Sequence, residues 1–149
     1  MCEWQLETFE NLTVDILYQL LEARQAIFVV EQRCAYTDID GLDQQSLHLL
    51  CWQKNRLLAY ARIIPPGVLK AEALIGRVMV LPEMRGKGLG KKLLAKAIDV
   101  IEQKFAQSAI RISAQRHLEA FYCEHGFVSA SEPYQEDGIW HIAMLRKAE

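Results

Sequence analysis

The spacing of apolar residues predicts helices and strands that alternate along the chain. Apolar side chains recur at steps of three and four residues from Thr13 to Val30 and again from Leu89 to about Phe105, which is the period of an amphipathic helix. A shorter helix is predicted from Leu118 to His125, with Gly126 at its C-terminal end. Short apolar runs between turn residues predict strands, and these runs are Leu47–Trp52, Leu57–Ile64, Leu74–Leu81, Ala109–Ser113 and Trp140–Leu145.

Turn residues separate these strands. Gln53-Lys54-Asn55 predicts a hairpin between the first two strands, and Pro65-Pro66-Gly67 must end the second of them. Asp137-Gly138 is a strong hairpin signal before the last strand. Between the first helix and the first hairpin, Cys34–Gln45 is an acidic loop rich in turn residues. The whole pattern predicts a mixed α/β fold in which helices cover one layer of sheet.

Composition fits one soluble domain over residues 1–149. The chain is 51% hydrophobic and 24% charged, and a chain of this length buries enough surface for its own core. The net charge of −2 offers no general attraction to nucleic acid, and no apolar stretch is long enough to cross a bilayer. The N-terminus lacks the features of a secretion signal, so we expect a cytoplasmic protein with no nucleic-acid or membrane partner. The sequence leaves a homodimer open.

Cysteine spacing argues against a metal or redox motif. The four cysteines stand at positions 2, 34, 51 and 123, so none of them forms a CxxC pair. Without a secretion signal, the expected state is four reduced thiols and no metal site.

The segment from Val78 to Lys92 carries the clearest chemistry. It combines a predicted strand, a turn with three glycines and a helix start, and Arg85–Lys96 holds five basic residues and no acidic one. Glycines let successive backbone N–H groups point toward an anion, and the free N–H groups of a helix start add to them. A pyrophosphate is the predicted ligand, although a solvated basic turn without a ligand would show the same pattern.

Two common phosphate-binding motifs do not match this turn. A P-loop needs glycine at position 85 and Ser or Thr at position 92, and the dinucleotide motif needs a third glycine at position 91. The pattern R-x-x-G-x-G does match, through Arg85, Gly88 and Gly90. Together with Phe121-Tyr122-Cys123-Glu124-His125-Gly126-Phe127, a helix end of the form F-Y-x-x-x-G-F, it resembles the GNAT superfamily of acyl-coenzyme A-dependent N-acyltransferases.

The first half of the chain resembles the ElaA-like branch of that superfamily. The matching residues are Phe28-Val29-Val30-Glu31-Gln32, Tyr36, Asp38-Ile39-Asp40-Gly41, Asp43 and His48. The resemblance implies a GNAT fold across the chain, with a central twisted, mixed but mostly antiparallel sheet flanked by about four helices. It also implies acetyl-CoA as acyl donor and an amine of a small molecule or peptide as acceptor.

By this resemblance, main-chain groups would hold most of coenzyme A. Amides of the glycine-rich turn would bind the pyrophosphate, and the preceding strand would pair with the pantetheine arm and polarise the thioester carbonyl. Gln115 would contact the pantetheine where many relatives have asparagine. The residues implied in cofactor binding are Val78, Met79, Val80, Arg85, Gly86, Lys87, Gly88, Leu89, Gly90, Lys91, Gln115 and Tyr122.

The resemblance also implies catalytic groups. Tyr122 would be the general acid that protonates the leaving thiolate, because a tyrosine with a pKa of about 10 stays protonated when a thiol with a pKa of about 8.5 leaves. The glutamate base of many relatives falls at Leu74 here, so the base stays open among Glu31, His48 and His141. Glu31 is the first candidate and His141 the second, while a core histidine is the commoner role for both histidines.

We therefore predict direct transfer of an acetyl group from acetyl-CoA to an amine within a ternary complex. Carboxylates of the acidic loop would either attract a cationic acceptor or shape turns through backbone hydrogen bonds. A coenzyme A-binding sensor without turnover is the alternative, because the usual glutamate is absent at Leu74. An alcohol or thiol acceptor is a third possibility.

Overall fold

The structure, a computed structural model, describes residues 2–148. Within that range eight strands form one sheet: β1 (Glu3–Thr8), β2 (Leu47–Gln53), β3 (Arg56–Ile64), β4 (Ala73–Val80), β5 (Ile110–Gln115), β6 (Val128–Ser129), β7 (Tyr134–Glu136) and β8 (Ile139–Arg146). Their order in the sheet is β1-β2-β3-β4-β5-β8-β6, and β7 also pairs with β8. β4 and β5 run parallel, whereas the other paired strands are antiparallel.

Three α-helices accompany the sheet in the described part of the chain: α1 (Val14–Arg24), α2 (Leu89–Lys104) and α3 (Glu119–Cys123). α1 begins at Thr13, whose hydroxyl accepts a hydrogen bond from the Ile16 amide at 3.1 Å, and runs directly into a π-helical segment, Gln25–Glu31. The predicted mixed α/β fold is confirmed. The number of α-helices is three rather than about four, and none of them is long and apolar enough to cross a membrane.

The central strands β2 and β3 are buried on both faces. The apolar face of α2 packs on one side against side chains such as Leu49 and Ala61, while Leu20 of α1 packs on the other side with Leu50 and Tyr60. Because both faces are covered, β2 and β3 have continuous apolar sequences instead of alternating ones.

The N-terminal strand β1 was not predicted, and it changes the expectation for the cysteines. β1 pairs with β2 in a register that brings Cys2 beside Cys51, with their Cα atoms 5.7 Å apart, a separation at which a disulfide can form. The sequence analysis did not predict that these two cysteines are neighbours, because sequence spacing does not show which strands pair. Cys34 and Cys123 are free.

A largely buried ion-pair network holds the acidic loop against the sheet. It joins three arginines to three aspartates of the loop, namely Arg24, Arg62 and Arg77 with Asp38, Asp40 and Asp43. Arg24 is fully buried and donates to Asp38 at 2.9 Å and to Asp43 at 2.7 Å. Arg62 donates to both carboxylate oxygens of Asp40, at 2.9 and 2.8 Å. The loop carboxylates are thus neutralised by arginine and do not form the cation-attracting patch considered from the sequence.

We expect this network to make folding stability sensitive to acid. Burial disfavours the Asp40 carboxylate, but hydrogen bonds from Arg62 and the Leu42 amide and the nearby positive charges outweigh it, lowering the pKa of Asp40 to about 2. The pKa of Asp43 is also lowered, since Arg24 and Arg62 outweigh its burial. A carboxyl whose pKa is lower in the folded state stabilises the fold above its unfolded pKa and loses that effect as pH falls.

The free energy of unfolding should therefore drop between about pH 4 and pH 2. Urea unfolding across that range tests this, with the variant Asp40→Asn showing a shallower drop than wild type. Asp99→Asn, on the exposed surface of α2, is the matched control and should keep the wild-type slope. An equally steep drop in Asp40→Asn would contradict the assignment.

Candidate active site

A cleft opens where β4 and β5 separate. The two parallel strands pair at Ala73 with Ile110 and at Leu74 with Arg111, and the pairing ends there. Beyond this point the two strands line opposite walls of a cleft of about 680 Å³. The inner edge of β4 is thereby left free to pair with an extended ligand.

A bulge in β4 contributes to this separation. The register between β3 and β4 shifts between Tyr60 and Arg62, and Arg77 adopts a φ of +52°, a conformation that non-glycine residues seldom take. Arg77 is held there by donating to the carbonyl oxygen of Asp38 at 3.0 Å and to the Asp40 carboxylate at 3.2 Å. The ion-pair network therefore supports the bulge as well as the loop.

The glycine-rich turn borders the same cleft. Gly86 and Gly88 have φ of +78° and +83°, and a Cβ built on either would meet no atom within 4 Å, so the turn presents its backbone to open space. Gly88 is the N-cap of α2, which leaves the first N–H groups of that helix directed at the turn. A Cβ at Gly90 would lie 3.9 Å from Phe121 and Val80, both of which line the cleft. The geometry is that of an anion-binding turn.

Arg85 and Glu31, predicted for different roles, bind each other. The guanidinium donates to both Glu31 carboxylate oxygens, at 2.7 and 2.8 Å, and through Nε to the Val80 carbonyl at 3.0 Å. These hydrogen bonds lower the pKa of Glu31 and raise that of Arg85. Both residues line the cleft. In this state Glu31 is a weak proton acceptor, and the Arg85 side chain is directed at protein groups.

Tyr122 projects from α3 into the cleft. It is 6% exposed and packs edge-on against Phe121 and Phe127, with ring centroids 5.2 and 6.0 Å away. Burial raises the pKa of Tyr122 to about 12. α3 ends at Cys123, and in the turn that follows it Gly126, with a φ of +88°, lets the chain reverse and place Phe127 against the ring. The phenol is thus a rigid, protonated donor in the cleft wall.

His141 and Gln115 face each other across β8 and β5 and both line the cleft. Nδ1 of His141 lies 2.8 Å from the carbonyl oxygen of Ile139. Because a carbonyl oxygen can only accept, Nδ1 carries the hydrogen and Nε2 keeps its lone pair. Nε2 lies 3.6 Å from the Glu136 carboxylate. His141 therefore lies in the cleft with a tautomer whose Nε2 can accept a proton.

Three further polar residues cluster beside His141 on the same face of the sheet. Tyr134 stacks on the imidazole with centroids 6.2 Å apart, and its hydroxyl is hydrogen-bonded to Ser113 Oγ. Ser113 in turn contacts the Glu136 carboxylate at 3.5 Å. The sequence analysis missed this cluster, yet the two-residue turn at Asp137-Gly138 carries the signal: pairing back from it places Tyr134 opposite His141.

His48 lies in the core, away from the cleft. Its Nε2 donates to the Asp43 carbonyl at 2.9 Å, and its Nδ1 accepts from the Tyr60 hydroxyl at 2.6 Å. Burial lowers the pKa of His48, so it stays neutral. The expectation of a satisfied core histidine is confirmed, and this residue is no longer a candidate base.

The structure brings most of the predicted site residues to one cleft. Those that line it are Glu31, Val78, Met79, Val80, Arg85, Gln115, Tyr122 and His141. The remaining predicted residues, Gly86 to Lys91, form the adjoining turn and the start of α2. Leu74, at the position of the usual glutamate, pairs with Arg111 where the strands begin to diverge.

Comparison with known proteins identifies the family. The sequence model described as acetyltransferase (GNAT) domain matches residues 15–148. Protein ElaA of Escherichia coli K12 is 41% identical, with 99% of this chain and 97% of that protein aligned. The crystal structure of Escherichia coli ElaA superposes with a TM-score of 0.94 at 40% identity, covering 99% of this chain and 100% of that one.

An acyl-CoA N-acyltransferase from Pseudomonas aeruginosa superposes equally well, with a TM-score of 0.94 at 39% identity, covering 98% of this chain and 99% of that one. The chain belongs to the GNAT acetyltransferase family, in its ElaA-like branch.

Proposed function

We propose that residues 1–149 form a single GNAT N-acetyltransferase domain that moves an acetyl group from acetyl-CoA to an amine of a small molecule or peptide. Transfer is direct, with both substrates bound in the cleft. The observation that carries the proposal is the opening between β4 and β5, which has an anion-binding turn at its border and a buried phenol in its wall.

The residues present fit acetyl-CoA. The open space over Gly86 and Gly88 and the free N–H groups of α2 suit a pyrophosphate, and the surrounding lysines add positive charge. The inner edge of β4 from Val78 to Val80 suits the amides of a pantetheine arm, with Gln115 on the opposite wall. When bound, acetyl-CoA supplies an acetyl group activated as a thioester.

The chain itself supplies the proton transfers. His141 takes the proton of the attacking amine on Nε2, because its Nδ1 hydrogen is held by Ile139 and Glu31 is bound to Arg85. A backbone amide of β4 polarises the carbonyl while the new C–N bond forms. Tyr122 gives its phenolic proton to the sulfur as the C–S bond breaks, and it recovers a proton from solvent.

The first test is calorimetric titration with acetyl-CoA. Wild type should bind with a Kd in the range of about 1–100 μM. Gly88→Glu should weaken binding at least about 100-fold, because a carboxylate then stands where the pyrophosphate should lie.

Gly67→Glu is the matched control. Gly67 has a similar φ of +85° and also has no atom within 4 Å of an added Cβ, but it does not line the cleft. It introduces the same charge and the same backbone strain and should change Kd by less than about twofold. Absence of binding by folded wild type, or equal losses in both variants, would overturn the proposed cofactor site.

Acetyl transfer is then measured by release of coenzyme A with a panel of primary amines, namely benzylamine, n-pentylamine, 1,5-diaminopentane and glycinamide. The masses of the products are determined by mass spectrometry. Acetyl-CoA should outperform butyryl-CoA and hexanoyl-CoA as donor. Tight binding without turnover of any amine would instead support a coenzyme A-binding sensor.

A further inference from the structure

The cluster beside His141 has a fixed direction of hydrogen bonding. The Glu136 carboxylate can only accept, so the Ser113 hydroxyl donates its hydrogen to Glu136 Oε2 at 3.5 Å. The Ser113 oxygen must then accept from the other side, and the Tyr134 hydroxyl is its donor. The resulting chain runs from Tyr134 through Ser113 to Glu136 and ends 3.6 Å from Nε2 of His141.

This arrangement matters most once His141 is protonated. In the neutral ring, Nε2 presents a lone pair toward Glu136 and the cleft. After it accepts a proton, Nε2–H becomes a donor that faces the half-exposed Glu136 carboxylate, which Ser113 contacts at 3.5 Å. A charge-assisted hydrogen bond of this kind is about twice as strong as a neutral one.

We propose that Glu136 is a positioning residue that stabilises the protonated form of His141, with Tyr134 and Ser113 holding its carboxylate in place. The inference rests on the proposed function, in which His141 accepts the proton of the amine. It adds a carboxylate–histidine pair on the terminal hairpin. This pair would replace the usual glutamate at the start of β4, where this chain has Leu74.

The other groups around the ring do not provide this charge. On β5 the ring faces Gln115, and on β7 it faces the Tyr134 ring. Arg111, two residues before Ser113 on the same face of β5, is paired with Glu72 at 3.2 Å. Asp137, in the turn, accepts a hydrogen bond from Cys34 through its main-chain carbonyl.

The kinetic test uses the most rapidly acetylated amine of the panel. Glu136→Gln should lower kcat about 10- to 100-fold and leave the KM for acetyl-CoA unchanged, because the carboxylate acts through His141. His141→Gln should lose about 100-fold or more, and the double variant should lose no more than His141→Gln alone. Glu136→Asp should recover part of the rate. Glu132→Gln, which removes an exposed carboxylate just before β7, is the matched control and should keep wild-type kcat.

A spectroscopic test needs no acceptor. In ¹⁵N-resolved NMR spectra at about pH 5.5, the Nε2–H proton of His141 should give a downfield signal protected from exchange. The signal should be lost in Glu136→Gln and kept in Glu132→Gln. The inference would be overturned if wild type turns over and the losses in kcat of Glu136→Gln and His141→Gln multiply in the double variant. It would also be overturned if wild type shows no Nε2–H signal for His141. Failure of wild type to acetylate any amine, with the NMR signal present, would overturn the proposed function and leave the carboxylate–histidine pair established.

Discussion

Tyr122→Phe should lower kcat about 100-fold or more while the Kd for acetyl-CoA stays within about twofold. The substitution removes one oxygen from a side chain that is 6% exposed and leaves the packing of its ring against Phe121 and Phe127 unchanged. The thiolate would then leave without a proton donor in the cleft wall. Stopped-flow or steady-state release of coenzyme A measures the rate, and calorimetry measures the affinity.

Two observations would separate this role from a structural one. Tyr60→Phe removes another buried phenol, which contacts His48 in the core, and its kcat should match wild type once folding is confirmed. Because burial raises the pKa of Tyr122 to about 12, the phenol should remain protonated and the wild-type rate should show no loss from this group up to about pH 10. A kcat within about threefold of wild type in Tyr122→Phe would exclude it as the general acid.

Local sequence signals were enough to predict the glycine-rich turn that borders the cleft. A turn in which Gly86 and Gly88 need positive φ, and in which a helix starts directly afterwards, depends on neighbouring residues alone. The same holds for the turn after α3, where Gly126 lets the chain reverse between Tyr122 and Phe127. These features were predicted because the backbone conformation they require leaves a mark in the sequence.

The side-chain contacts within the cleft were harder to predict because they join residues far apart in the chain. Glu31 and Arg85 are separated by 54 positions, and nothing local in either segment shows that they bind each other. Ser113 and Glu136 likewise meet only because β5 and β7 flank β8. Charge patterning suggested an acidic patch in the loop after Glu31, whereas tertiary structure neutralises it with arginines from α1, β3 and β4.

Those arginines carry the second large expected effect. Arg24→Met should lower the free energy of unfolding by about 3–5 kcal/mol in urea denaturation at neutral pH. The side chain is fully buried and donates to the Asp38 carboxylate, to the Asp38 carbonyl at 2.8 Å and to the Asp43 carboxylate. Methionine fills much of the volume but leaves Asp38 Oδ2 without a donor, and it leaves the Asp38 carbonyl with Arg77 and the Asp43 carboxylate with Arg62 as their remaining donors.

Arg56→Met is the matched control, since it makes the same substitution in an exposed pair. Arg56 is 58% exposed in its contact with Glu83, and removing it should cost no more than about 1 kcal/mol. A loss in Arg24→Met no larger than in this control would show that Arg62 and Arg77 suffice to neutralise the loop.

The same variant connects folding stability to the cleft. Asp38 and Asp40 accept hydrogen bonds from Arg77, which has a φ of +52°. Arg77 lies in the bulge of β4, close to the point where β4 and β5 separate. With Arg24 absent, Asp38 loses its buried donor and the loop that supports this bulge becomes free to shift. Folded Arg24→Met should therefore bind acetyl-CoA more weakly than Arg56→Met under conditions where both are native by circular dichroism. Unchanged affinity with reduced stability would mean that β4 keeps its bulge without the network, and that the cleft is set by the strand alone.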